Sequence, residues 1–187
     1  IRPIAIEDLL GRPQQPLDRA TMTALVKDKR ILITGAGGSI GSELVRQLAD
    51  IGPRELVLVE NSEFALYLID RELGELHPSQ TRHAVIADVR DRTRMDQVFA
   101  HYKPELVFHA AALKHVPLVE DNAFEGMLTN ATGTRNVADA CEAAGVDVMV
   151  MISTDKAVNP TNIMGATKRI AETYVQALDL RRGQGDG

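Results

Sequence analysis

Residues 30–41, Arg-Ile-Leu-Ile-Thr-Gly-Ala-Gly-Gly-Ser-Ile-Gly, constrain the chain more than any other stretch. An apolar, β-branched run of Ile31, Leu32 and Ile33 ends at Thr34, and a glycine-rich turn follows at once. Ile40, Leu44, Val45 and Leu48 then recur at helical spacing. The expected order is strand, tight turn, helix. Gly35, Gly38 and Gly41 stand three residues apart. Such a turn needs a glycine where the backbone angle resists other residues, and another where the main chain approaches a ligand. A third lets the helix lie close on the strand. Unpaired amides at the start of that helix favour a phosphate. A bare glycine pattern also serves plain loops. Here the flanking strand and helix, and an acid further along, point to a dinucleotide.

That acid is Glu60, which ends an apolar run, Glu55-Leu56-Val57-Leu58-Val59-Glu60. A carboxylate there accepts from the adenosine ribose hydroxyls, which favours NAD over NADP. Ser62 is placed to cap a helix carrying Phe64, Leu66, Leu68, Ile69 and Leu73. A third strand, His83 to Ala87, ends at Asp88, and Asp91 caps a helix running to Tyr102. Leu106-Val107-Phe108 forms a fourth strand running into His109-Ala110-Ala111-Ala112. A long helical stretch follows from about Val119 to Ala144, with Gly133 as interruption and Gly145 as stop. The fifth strand spans Val146 to Ile152, and Asn162 caps a last helix through about Leu180. Strands alternating with helices, apolar on both faces, specify an α/β fold with a doubly wound parallel sheet of Rossmann type. Ligands of such sheets bind beyond the carboxyl ends of the strands.

Composition narrows the partners. A length of 187 residues allows one domain with a real core, and 25% charged residues argue against disorder. The net charge is −5, from 21 basic and 26 acidic residues, and no basic cluster suits a nucleic acid. Lone Cys141 excludes an internal disulfide and fits a reducing compartment. Cys and His show no metal-ligand spacing, so no metal is expected. No apolar run approaches the ~20 residues that span a bilayer, and no signal peptide is visible. Residues 1–29 read as a lead-in, with a short helix at Ile6 to Leu10 and a linker at Arg12 to Pro16. Residues 30–182 form the nucleotide-binding domain and 183–187 an end loop. Because the chain starts at Ile1 and stops in Gly185-Asp186-Gly187, it reads as a piece of a longer protein.

The remaining candidate residues lie at strand ends. Asp88 reads equally as an adenine contact or a strand-end cap, with Val89 beside it. Ala110 and Ala111 keep bulk away from a cofactor, or simply pack; Ser39 and Ile40 belong to the phosphate turn. Thr154, Asp155 and Lys156 bring a hydroxyl, a carboxyl and an amine to one crevice, a set suited to moving protons. The bland reading is a strand end with solvated charges. Lys168 lies one helical turn beyond Met164, so both project from one face. In short-chain dehydrogenases the corresponding pair is Tyr and Lys, and this chain has no Tyr-x-x-x-Lys.

The chain resembles the nucleotide-sugar 4,6-dehydratases of the extended short-chain dehydrogenase/reductase superfamily. More narrowly, it is similar to the bacterial polysaccharide-biosynthesis branch acting on UDP-N-acetylglucosamine. The resemblance rests on Ile6 to Arg12, Thr34 to Gly41, Glu60 to Phe64, His109 to Pro117, and Ser153 to Lys168 with Met164 in place of tyrosine. It implies Lys156 as base, Asp155 as acid, Thr154 on the sugar 4-hydroxyl and Lys168 on the nicotinamide ribose. Lys114 and Asn159 are expected to line the substrate site. Relatives of this branch usually carry an amino-terminal membrane region and a further nucleotide-binding module, and in the family a carboxyl-terminal part holds much of the nucleotide-sugar pocket. The resemblance therefore implies a cytoplasmic domain of a protein anchored at the bacterial inner membrane, truncated before its substrate-binding half. A homo-oligomer is expected. The rival readings are a nucleotide-sugar 4-epimerase and a non-catalytic NAD-binding module.

Overall fold

A computed structural model describes residues 19–183. The short helix, the linker and the lead-in motif expected before residue 18 lie outside the described residues. Five strands, β1 (Arg30–Thr34), β2 (Glu55–Glu60), β3 (Arg82–Ile86), β4 (Leu106–His109) and β5 (Val148–Met151), form one sheet in the order β3-β2-β1-β4-β5. Every pairing is parallel, with Ile31 opposite Leu56 and Ile33 opposite Phe108. The strand order reverses between β1 and β4, where doubly wound sheets open a crevice.

Alternation along each strand feeds two separate cores. Leu32, Val57, Val59 and Val107 point to one face, against Met95, Val98 and Phe99 of α4 (Arg92–Tyr102) and Val137 and Ala140 of α7 (Thr134–Ala144). Ile31, Ile33, Leu56 and Leu58 point to the other. There they meet Val26 of α1 (Arg19–Val26), Val45 and Leu48 of α2 (Ser39–Ile51), and Leu66, Ile69 and Leu73 of α3 (Glu63–Leu76). Each fully buried aliphatic chain contributes about 1.5–3 kcal/mol, so this two-sided burial is what fixes the register. Ser62 and Asp91 cap α3 and α4, accepting from the Ala65 and Arg94 amides.

Several details differ from the sequence reading. Helix α1 was not expected; it seats Val26 in the core at 2% exposure. Phe64 and Leu68 face solvent rather than the core, because Leu66, Ile69 and Leu73 already occupy the inward stripe of α3. Strand β3 runs Arg82–Ile86, one residue earlier than expected, although the Ala87 amide still donates to the Glu60 carbonyl. Strand β5 starts at Val148, because the Val146 amide is spent on the Cys141 carbonyl at the left-handed Gly145 stop.

The long helical stretch is three pieces: α5 (Val116–Asp121), α6 (Ala123–Gly126), and a π-helical turn (Met127–Gly133) continuing into α7. The break falls at Asn122 (φ −132°, ψ 53°), not at Gly133, which is helical and lies where a side chain would strike Val89. The last helix, α8 (Ile163–Gly183), is capped by Asn162, whose Oδ1 accepts from the Gly165 amide at 2.7 Å. Among the described residues no helix is long and apolar enough to cross a membrane.

Candidate active site

The crevice begins where β1 ends. Gly35 has φ 66°, and a side chain there would meet the Ala110 and Ala111 backbone at 2.7–2.9 Å. A side chain on Gly41 would overlap the Gly35 carbonyl. Glycine at these positions lets β1, α2 and the segment after β4 close on one another. Gly38, extended and without a side-chain cap bond, leads into α2, so the leading amides of the helix face the crevice.

A first cavity of about 210 Å³ is lined by Gly35, Gly38, Glu60, Asn61, Asp88, Val89, Ala110, Ala111 and Thr129. Glu60 accepts from the Gly37 amide at 3.1 Å through one oxygen and from the Asn61 and Ser62 amides at 2.9 and 3.1 Å through the other. Three of a carboxylate's roughly four lone-pair positions are thereby used, which leaves room for one ribose hydroxyl rather than two. The Gly37 bond lashes the glycine turn to β2. Asp88 is both a lining residue and a cap: its oxygens accept from the Arg90 amide and guanidinium at 2.8–2.9 Å. Partial burial pushes its carboxyl up, but the hydrogen bonds and charge of Arg90 outweigh this and hold it below the usual range.

The second cavity, about 480 Å³, shares Gly38, Ala110, Ala112 and Leu113 with the first and adds Ser39, Ile40, Gly41, Lys114, Thr154, Lys156, Met164 and Lys168. Lys114 reaches toward the Ser39 hydroxyl, 3.4 Å away. Lys168 is 4% exposed, and its Nζ donates to the Ile152 carbonyl at 2.6 Å, at the end of β5. Burial lowers its pKa, and Glu172 one turn on opposes the shift.

Asp155 does not join this set. Its side chain is 86% exposed and lies outside both linings. Residues Asp155–Ala157 form a 3-10 turn that leaves the Asp155 carboxylate on its solvent side, where it still reaches the Lys156 ammonium. The Thr154 hydroxyl and then the Lys156 ammonium, at 3.0 and 3.2 Å, hold its carboxyl below the usual range. Asn159, expected beside the substrate, is exposed at φ 50° and lines neither cavity.

Three residues that the sequence reading did not assign hold the site together. His109 is 1% exposed between the Thr34 hydroxyl (2.6 Å, Nδ1) and the Thr134 hydroxyl (2.9 Å, Nε2). Thr134 spends its proton on the Asn130 carbonyl at 2.6 Å, so Nε2 must donate and Nδ1 must accept. Burial, aided by the nearby Lys168 charge, lowers the His109 pKa to about 3 and keeps the ring neutral. Asn130, fully buried, receives the Leu113 amide at 2.8 Å and donates to the Leu113 carbonyl and the Thr167 hydroxyl at 2.9 and 3.0 Å. It thus fixes the partition between the two cavities to the helix carrying Lys168. Thr129, one residue before it on the π-helical turn, faces the first cavity. Only His109 carried a sequence signal, as a polar residue closing the apolar run Leu106-Val107-Phe108; Thr129 and Asn130 lie in a mixed polar run that singles out neither.

A family described as polysaccharide biosynthesis protein matches residues 31–186. The chain belongs to that family. Among its relatives, the capsular polysaccharide biosynthesis protein CapD of Staphylococcus aureus is 47% identical over 96% of this chain and 30% of its own length. A UDP-N-acetylglucosamine 4,6-dehydratase (inverting) of Campylobacter jejuni is 39% identical over 81% of this chain and 44% of its own. A UDP-glucose 4-epimerase of Rickettsia rickettsii is 33% identical over 85% and 46%. This member of the polysaccharide biosynthesis family therefore spans less than half the length of each of these relatives. The Bordetella bronchiseptica enzyme WbmG, solved in complex with NAD and UDP, superposes with a TM-score of 0.67 at 25% identity, over 81% of this chain and 50% of that one.

Proposed function

We propose that the protein is an NAD-dependent nucleotide-sugar 4,6-dehydratase that converts UDP-N-acetylglucosamine to a UDP-4-keto-6-deoxy sugar. One observation carries the reading: Thr154, Lys156, Met164 and Lys168 share a cavity with the glycine turn. The neighbouring cavity suits the adenosine half of NAD, with small Ala110 and Ala111 walls and an acceptor position left open on Glu60. The leading amides of α2 hold the diphosphate, Glu60 the adenosine ribose, Asp88 and Val89 the adenine, and Lys168 the nicotinamide ribose. When bound, NAD supplies the hydride acceptor for sugar carbon 4 and returns that hydride to carbon 6.

The chain's own residues move the protons. Thr154 hydrogen-bonds the 4-hydroxyl and then the 4-ketone. That ketone acidifies the carbon 5 proton, which Lys156 removes as the 6-hydroxyl departs and later restores. The family resemblance assigns the acid at the leaving hydroxyl to Asp155. From its present place, Asp155 must turn inward and take up a proton to serve. This is also the observation that favours the second reading, a 4-epimerase, which needs no acid at carbon 6.

Incubating the full-length protein with UDP-N-acetylglucosamine separates the two. The expected product is the 4-keto-6-deoxy sugar. Lys156→Met is expected to abolish it, together with solvent-deuterium exchange at carbon 5, while NAD still binds; Lys168→Met is expected to weaken NAD itself. Accumulation of the 4-epimer alone, or normal exchange in Lys156→Met, overturns the assignment.

A further inference from the structure

Arg90 stands just outside the first cavity and lines none of it, yet it is tied to a residue that does. Its Nε and a terminal nitrogen lie 2.8 and 2.6 Å from one Asp88 oxygen, and its backbone amide donates to the other at 2.9 Å. The remaining terminal nitrogen meets Glu125 of α6 at 2.6 Å. Behind it, buried Asn136 donates to the Val89 and Arg90 carbonyls at 3.0 and 3.1 Å, which holds the main chain still. The guanidinium is thus pinned from two sides, and Asp88 is pinned by it.

This accounting leaves Asp88 with one direction to offer. Three of its roughly four lone-pair positions point at Arg90, and the fourth belongs to the oxygen that also takes the Arg90 amide. We infer that the Asp88–Arg90–Glu125 clasp is the base-selecting device of the cofactor site, with Arg90 as a positioning residue that aims the free Asp88 acceptor at an exocyclic amino group. The inference rests on the NAD reading above. An adenine amino group donates to such an acceptor; a hypoxanthine carbonyl at the same position meets it oxygen to oxygen. Arginine suits the task because its planar fork fixes both distance and angle, which lysine does not.

The test compares the binding of NAD and of nicotinamide hypoxanthine dinucleotide to the full chain by titration calorimetry, with a thermal melt of each variant. The wild type is expected to favour NAD by about tenfold or more, as for a hydrogen bond to a charged acceptor. Arg90→Gln is expected to shrink that preference to about threefold or less, with Arg90→Lys and Glu125→Gln in between. Because these ion pairs are partly solvent-exposed, the melts are expected to stay within a few degrees of the wild type. An unchanged preference in Arg90→Gln, or equal weakening of both dinucleotides, reduces the clasp to a structural tie and overturns the proposal. Should Arg90→Gln not fold, an undiminished preference in Glu125→Gln overturns it equally. A folded wild type that binds neither dinucleotide strikes down the NAD reading itself. One that binds both alike strikes down only the clasp.

Discussion

Asn130→Ala tests how the two cavities are held together. The substitution deletes three side-chain hydrogen bonds, two to the Leu113 backbone and one to the Thr167 hydroxyl. At about 1 kcal/mol net each, the loss is about 3 kcal/mol. Water reaches the Leu113 backbone more readily than it reaches Asn130, since Leu113 is 39% exposed, so the full penalty for orphaned buried groups does not apply there. For a domain of this size, 3 kcal/mol lowers the melting temperature by about 6–12 °C. Urea denaturation with a fixed slope measures it directly. Asn130→Asp sharpens the test: it keeps the volume and the bond from the Leu113 amide, but sets an oxygen against the Leu113 carbonyl. At neutral pH it is expected to cost at least as much as alanine. Both variants are also expected to weaken NAD binding, because Leu113 borders both cavities. A loss below about 1 kcal/mol in Asn130→Ala, or a neutral Asn130→Asp, would refute the claim that this amide ties the partition in place.

Two further outcomes follow from the site. On the proposed reading, in which the Glu60 carboxylate meets the adenosine ribose, NAD is expected to bind at least tenfold more tightly than NADP. Equal affinities in parallel titrations would remove Glu60 from the ribose. The neutral His109 ring gives stability a pH dependence of defined sign: its folded pKa, about 3, lies below the usual 6.5, so between these values the unfolded chain binds a proton the folded chain does not. This contribution is complete above pH 6.5 and is lost as pH falls toward 3, at up to about 1.4 kcal/mol per pH unit. His109→Gln is expected to flatten the acid limb of the stability curve, read by urea titrations at pH 4 to 7; an unaltered slope would contradict the buried neutral ring.

Where a signal is local, the sequence carried it well. The apolar run ending at Glu60, the glycine turn and the caps Ser62, Asp91 and Asn162 depend on residues within a few positions, and they formed as read. Helix α1 gave little periodic signal, since Val26 alone among its described side chains is fully buried. Gly133 misled because a glycine serves close packing as well as helix breaking; here Val89 lies against it. The Asp155 side chain follows from a 3-10 turn that three residues cannot announce. His109 and Asn130 act through partners 17 to 75 residues away, so only the assembled fold reveals them.

The two rims of the sheet differ in how they meet solvent. At β3, Arg82 pairs with Asp70 and His83 with Glu55, so charge stands along that border. At β5, Val-Met-Val-Met presents four uncharged, partly exposed side chains, and among the described residues no strand pairs with its outer side. Proteins discourage stray strand addition with charge, proline or cover, and β5 carries none of the first two. Strand addition is thus opposed by charge along β3 and not along β5. The rim beside Val148 and Met151 is therefore the one that charge leaves unguarded.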